Sequence, residues 1–197
     1  MNKVYNLDFC FKGNRTYVHG TDIYNELCNL LESSMQAKKI DLSFHNIITH
    51  NITLTDTKPI NEKLIKFICK YIDQSDIKRV LFGIVNKKSI ECRYTYDEQS
   101  ICNLSSLSIS QEEVLLEVNS SFSFIENCVA LNKYLLESIF PNVEGKWYFT
   151  RLQMKSLKNI NNYPMKLNLK ANFNFKLTKT EIYISDVLVG YIYFSLV

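Results

Sequence analysis

Between Met165 and Leu177 the side chains alternate so regularly that one backbone geometry accounts for them. Leu167, Leu169, Ala171, Phe173, Phe175 and Leu177 interleave with Lys166, Asn168, Lys170, Asn172, Asn174 and Lys176. A strand repeats every two residues, so this order sets an apolar face against a core and leaves an amide-rich, basic face in water. One wet face is the mark of an antiparallel sheet. Trp147 to Met154 supplies a further extended segment. Glu181 to Ile184 and Leu188 to Leu196 flank Ser185-Asp186-Val187 as a terminal hairpin, which makes truncation there damaging.

Upstream, strand and helix periods are mixed. Tyr5, Leu7, Phe9 and Phe11 share one parity opposite Asn6, Asp8 and Lys12, a half-buried strand that ends in the turn Lys12-Gly13-Asn14-Arg15. Gly20 or Thr21 then caps a helix from Asp22 to Ser34, with Asp22 at the positive end of the dipole and Ile23, Leu27, Leu30 and Leu31 forming its stripe. Ile40, Leu42, Phe44, Ile48, Ile52 and Leu54 read as one long extended stretch. Pro59 suits the first turn of a second helix, with Ile60, Leu64, Ile65, Ile68, Tyr71 and Ile72 at helical spacing and an end near Ser75. Val80 to Val85 and Ile90 to Tyr96 flank Asn86-Lys87-Lys88-Ser89 as a hairpin.

Asp97 to Ser106 is polar and marks a seam, so the chain is divided at residues 1–100 and 101–197. Extended structure resumes at Glu113 to Val118. Ser123 and Glu126 then form an S-x-x-E capping box for a third helix, whose buried side is Ile125, Cys128, Val129, Leu135, Leu136 and Ile139 and which ends before Pro141.

At 197 residues and 46% hydrophobic, the chain has enough apolar surface for a substantial core, which excludes disorder. No stretch approaches the roughly 18 apolar residues of a bilayer span, and MNKVYNLDFC has no signal-peptide pattern; the expectation is a cytoplasmic protein without a membrane span. Cys10, Cys28, Cys69, Cys92, Cys102 and Cys128 lack metal-finger spacing and are expected to be reduced core thiols. A net charge of +3 spread along the chain argues against nucleic acid as a partner. No phosphate loop, dinucleotide fingerprint or nucleophile elbow is present, and no cofactor is implied.

A central helix at Ser123 to Phe140 among antiparallel strands, closed by "TEIYISDVLVGYIYFSLV" with Gly190 in the second strand of the pair, resembles the hotdog superfamily of acyl-thioester dehydratases and thioesterases. The resemblance implies an α+β fold of two hotdog-like halves, antiparallel sheets wrapped on central helices, with a thioester in a groove between them. It implies acyl-CoA or acyl-carrier-protein as partner and leaves a homodimer open. The His-Phe-Pro-Gly segment of the dehydratases and the Gly-His-Val-Asn-Asn context of the thioesterases are absent, so chemistry would fall to other residues. The competing reading is a non-catalytic hotdog-like binding or assembly protein.

His19, at the entrance to the first helix, is the candidate general base, against the plainer reading of a turn histidine. Glu126 is the candidate acid partner, against its capping role. Gly20 and Asn127 lie where helix-start donors would polarise a thioester carbonyl. Tyr17 and Tyr24 would line an acyl tunnel or merely pack. Arg151 and Lys155 share a strand parity suited to the phosphates of coenzyme A, or to ordinary solvent exposure. His45 and His50 are five residues apart on extended chain and point to opposite faces, which excludes a shared metal.

Overall fold

The computed structural model describes residues 4–32, 37–156 and 163–197. They fall into two compact units, the first reaching to Tyr96 and taking in Lys155 and Ser156, the second holding Asp97–Met154 and Tyr163–Val197.

The first unit contains β1 (Val4–Leu7), β2 (Phe11–Lys12), α1 (Gly20–Glu32), β3 (Lys38–Phe44), β4 (Ile52–Thr55), β5 (Ile65–Ile72), β6 (Lys78–Val85) and β7 (Arg93–Tyr94). Five strands pair antiparallel in the order β1-β4-β6-β5-β3, and β2 and β7 form a separate two-residue parallel pair. Leu42, Ile52, Leu54, Phe67 and Cys69 from the sheet share the core with Ile23, Leu27 and Leu31 of α1. Gly83 makes room for this packing, because a Cβ there would fall 2.1 Å from the Phe67 ring.

Four expectations for this unit are corrected. Residues 60–75 are not a helix: a short 3-10 turn at Glu62–Leu64 leads into β5. Ile60 and Leu64, which completed the helical spacing, are exposed, and the buried residues are Ile65, Phe67, Cys69 and Tyr71, a period of two. The stretch from Ile40 to Leu54 breaks at His45–Asn51 into two strands that do not pair; β3 joins β5, and β4 lies between β1 and β6. Asn86 to Ser89 is not a hairpin turn either. Asn51 redirects the chain there, its carbonyl accepting from Asn86 N at 3.0 Å and its Nδ2 donating to Ser89 O at 2.9 Å. Finally, Cys10 and Cys92 are joined in a disulfide, so only Cys28, Cys69, Cys102 and Cys128 are thiols.

The second unit contains α2 (Glu98–Asn103), β8 (Ser105–Ser108), β9 (Glu113–Leu116), α3 (Phe124–Ile139), β10 (Trp147–Ser156), β11 (Met165–Phe173), β12 (Leu177–Ile184) and β13 (Val187–Leu196). The antiparallel strand order is β10-β13-β12-β11-β9-β8. The polar segment after Asp97 is structured: Asp97 caps α2 by accepting from Ser100 N, and Ile101 and Cys102 are buried. The long alternation from Met165 is cut by a turn at Asn174 and Phe175, both with positive φ. Phe175 holds that unusual conformation while its ring packs edge-on to Phe140 at 5.1 Å and against Trp147 at 6.2 Å.

Helix α3 packs on β9, β11 and β13. Cys128 Sγ lies 3.8 Å from Met165 Sδ near its start, and Phe140 meets Phe175 at its end, so the helix runs along β11 in the same direction. In the first unit Cys28 of α1 acts with burial to raise the Cys69 thiol on β5. Each unit thus sets one long helix against antiparallel strands, in an α+β chain. Among the described residues no helix is long and apolar enough to cross a membrane.

Candidate functional site

The polar groups of the first unit converge where β2, β7 and the start of α1 meet. Alternation placed Lys12 on a wet face; it is instead fully buried. Its Nζ donates to Thr21 Oγ1 at 2.8 Å and to Asp22 Oδ1 at 3.0 Å, and lies 4.4 Å from the centroid of Tyr96 and 5.6 Å from that of Tyr94. A buried ammonium is tolerable only with such partners: a carboxylate, a hydroxyl and two ring faces. Tyr94 Oη donates to the same Asp22 oxygen at 2.8 Å. Asp22 Oδ2 is buried with no hydrogen-bond partner.

His19 joins this cluster. Its backbone carbonyl accepts from Asp22 N and so caps α1, and its buried ring puts Nδ1 2.7 Å from Thr21 Oγ1. The ring of Tyr96 stands 6.4 Å away, centroid to centroid. Thr21 is therefore not the side-chain cap expected of it; its hydroxyl lies between His19, Lys12 and Asp22, with Asp22 Oδ1 at 3.3 Å. Gly20 is the first residue of α1 and half-buried, Tyr24 is buried on the core side of the helix, and Tyr17 is half-buried in the approach to it.

Glu126 and Asn127 belong to the second unit. Glu126 Oε2 accepts from Ser123 N at 2.9 Å and from Ser123 Oγ at 2.8 Å, the helix-start contact that the S-x-x-E spacing calls for. Asn127 is fully buried; its Oδ1 accepts from Ser120 Oγ at 2.6 Å, its Nδ2 donates to Tyr163 Oη at 3.1 Å, and its backbone N–H is taken by Ser123 O. Arg151 stands on β10 with its guanidinium 5.5 Å from the Tyr193 centroid, and Lys155 is exposed near the end of the same strand. The core beneath α3 also holds polar groups that sequence reasoning passed over. Asn132 is fully buried with neither amide atom hydrogen-bonded, and Thr180 Oγ1 on β12 is buried without a partner.

Burial pushes the thiol of Cys69 up to about 12 and that of Cys102 to about 11, with Cys128 higher still, so these three supply no thiolate at neutral pH. Among the described residues no group of three His, Cys, Asp or Glu side chains could hold a metal ion. Lys12, Thr21, Asp22 and Tyr94 went unnoticed as a set because Tyr94 is 72 residues from Asp22. The local signal available was the S/T-and-D pair following His19.

No protein-family model matches the sequence, and no curated protein matches it. Solved structures similar to the chain include the dehydratase domain of PpsC from Mycobacterium tuberculosis in complex with an acyl-CoA, at 8% identity over 100% of this chain and 93% of that one, TM-score 0.48. A monomeric dehydratase domain from a trans AT polyketide synthase split module matches at 10% identity over 100% of this chain and 98% of that one, TM-score 0.46. A pyran synthase domain from module nine of the sorangicin pathway matches at 6% identity over 99% of this chain and 91% of that one, TM-score 0.48.

Proposed function

We propose that the chain is an acyl-thioester dehydratase- or thioesterase-like protein in which His19 transfers the proton. The observation that carries this reading is the His19–Thr21–Asp22–Lys12 network. A hydroxyl accepts twice and donates once. Thr21 uses all three by accepting from His19 Nδ1–H and from Lys12 and donating to Asp22. That assignment holds the ring in the tautomer whose Nε2 carries a lone pair, the form a general base needs. Asp22 then stabilises the imidazolium through Thr21, as a carboxylate partner steadies a catalytic histidine.

For a 3-hydroxyacyl thioester, Nε2 would take the proton next to the carbonyl; for hydrolysis it would take a proton from water. The carboxylate joined to His19 is that of Asp22, while Glu126, engaged with Ser123, would serve by fixing the start of α3. Gly20, Tyr17 and Tyr24 are the proposed acyl-lining residues beside His19, Asn127 a buried wall of the second unit, and Arg151 and Lys155 the proposed contacts for coenzyme A or carrier-protein phosphate.

The test is a panel of acyl-CoA and acyl-carrier-protein thioesters assayed for both hydrolysis and dehydration. Activity that drops by about 100-fold or more in His19→Ala, with unchanged circular dichroism, supports the assignment. Undiminished turnover in that variant removes His19 from the mechanism. Binding without turnover by the wild-type chain supports the non-catalytic alternative.

A further inference from the structure

Cys10 precedes β2 and Cys92 precedes β7, so the disulfide sits one residue from Phe11 and Arg93, which pair, and two from Lys12 and Tyr94. Cys92 is exposed and Cys10 half-buried. The segment that Cys92 anchors, residues 86–96, contains no buried residue, yet Tyr94 and Tyr96 within it cover the fully buried Lys12. Polar contacts otherwise hold it: Asn51 bonds to Asn86 N, Lys88 O and Ser89 O, Lys88 Nζ meets Asp8 Oδ2 at 2.6 Å, Arg93 Nη1 donates to Gly13 O and to Arg15 O, Gly13 N to Tyr94 O at 2.8 Å, and Phe11 N to Cys92 O at 2.9 Å. An element without buried apolar side chains opens at low free-energy cost unless a covalent link restrains it.

We propose that the Cys10–Cys92 disulfide is a thiol-exchange site through which a dithiol opens the wall of the Lys12–His19 cluster. The sulfur of Cys92, the more exposed residue of the two, is attacked by one thiolate of the dithiol, the S–S bond breaks, and Cys10 leaves as a thiolate that takes up a proton. The second thiol of the reagent then displaces Cys92 from the mixed disulfide. Overall, the protein disulfide gains two electrons and two protons and the dithiol becomes a cyclic disulfide. With the bond broken, residues 92–96 lift while Asn51 keeps its hold on Asn86 to Ser89, Tyr94 leaves Asp22, and Lys12 and the His19 ring lose their cover. The buried Cys69, Cys102 and Cys128, with their raised thiol ionisation, do not compete for the reagent. Control of turnover by this switch rests on the acyl-thioester reading; the opening itself does not.

The experiment is acetic anhydride labelling of Lys12, read by mass spectrometry, before and after treatment with dithiothreitol and again after reoxidation. Lys12 is protected in the oxidised protein. Reduction is expected to raise its labelling rate by about 10-fold or more, with the far-ultraviolet circular dichroism unchanged and protection restored on reoxidation. The double variant C10S/C92S should label at the reduced rate whatever the redox state. Continued protection of Lys12 after both thiols are counted as reduced overturns the proposal. So does loss of secondary structure on reduction, which would make the bond a staple of the whole unit. Neither outcome requires the chain to have activity, so an inactive protein leaves this test intact.

Discussion

The two units share a helix-on-sheet build but differ in the polarity they bury. The first buries a charge and surrounds it: Lys12 is met by Asp22, Thr21 and two tyrosine rings, and a disulfide closes the side. The second buries no charged side chain among its described residues. It keeps neutral groups instead, some saturated, as at Asn127, and some not, as at Asn132 and Thr180. A buried ion pair with its hydrogen bonds made is costly to break, whereas an unsatisfied amide is already costly as it stands. The first half thus surrounds a buried cation with partners, one oxygen of Asp22 staying unbonded, while the second buries only neutral groups and leaves an amide and a hydroxyl unbonded.

The largest effect that would break this contrast is Lys12→Met, which strips Asp22 of its cation and should lower stability by about 3–5 kcal/mol in urea titrations. The double variant Lys12→Met/Asp22→Leu should recover most of that loss, because both charges are then gone. A single variant that unfolds at the wild-type midpoint would mean that Lys12 is not buried against Asp22 as described. In the second unit the sign reverses. Asn132→Leu replaces an unsatisfied amide by an apolar side chain of similar size and should stabilise by about 1 kcal/mol, a rise of a few degrees in Tm. A fall in Tm would show that Asn132 has a partner in solution and would narrow the difference between the halves.

The smallest effect sharpens the account of the first unit alone. Asp73, in the turn between β5 and β6, is held below the usual carboxylate range first by the hydrogen bond from Arg79, then by the backbone N–H of Ile77 and that of Ser75. A depressed folded value means the unfolded chain binds the proton first, so this stabilisation is complete above about pH 4 and fades as pH falls further. Asp73→Asn should flatten the acid limb of the stability curve below about pH 4 and leave the slope between pH 5 and 7 unchanged. A slope that changes near neutrality instead would assign the turn's pH response to another group.

How much could be read from the chain follows the range of the interactions. Helix α3 was legible because its capping box and its 3.6-residue stripe are local. So were β12 and β13, where Ser185 and Asp186 form the turn between them with positive φ. Strand β5 was misread because Ile68 and Ile72, on its second face, happen to complete a helical spacing. The turn at Asn174 and Phe175 was hidden because a phenylalanine rarely takes that conformation, and its aromatic partners lie elsewhere in the chain. The candidate site was legible only at His19. Lys12 obeyed the alternation and was still buried, because what covers it is supplied by residues more than 80 positions downstream.

Strand β13 lies between β10 and β12 although it is the last of the three to be synthesised. During translation the two neighbours have no middle until that segment leaves the ribosome, while every strand of the N-terminal ladder is already available. Nascent chains therefore expose the hydrophobic edges of the later sheet for longest, and it is there that a chaperone, or a misfolded contact, has time to act.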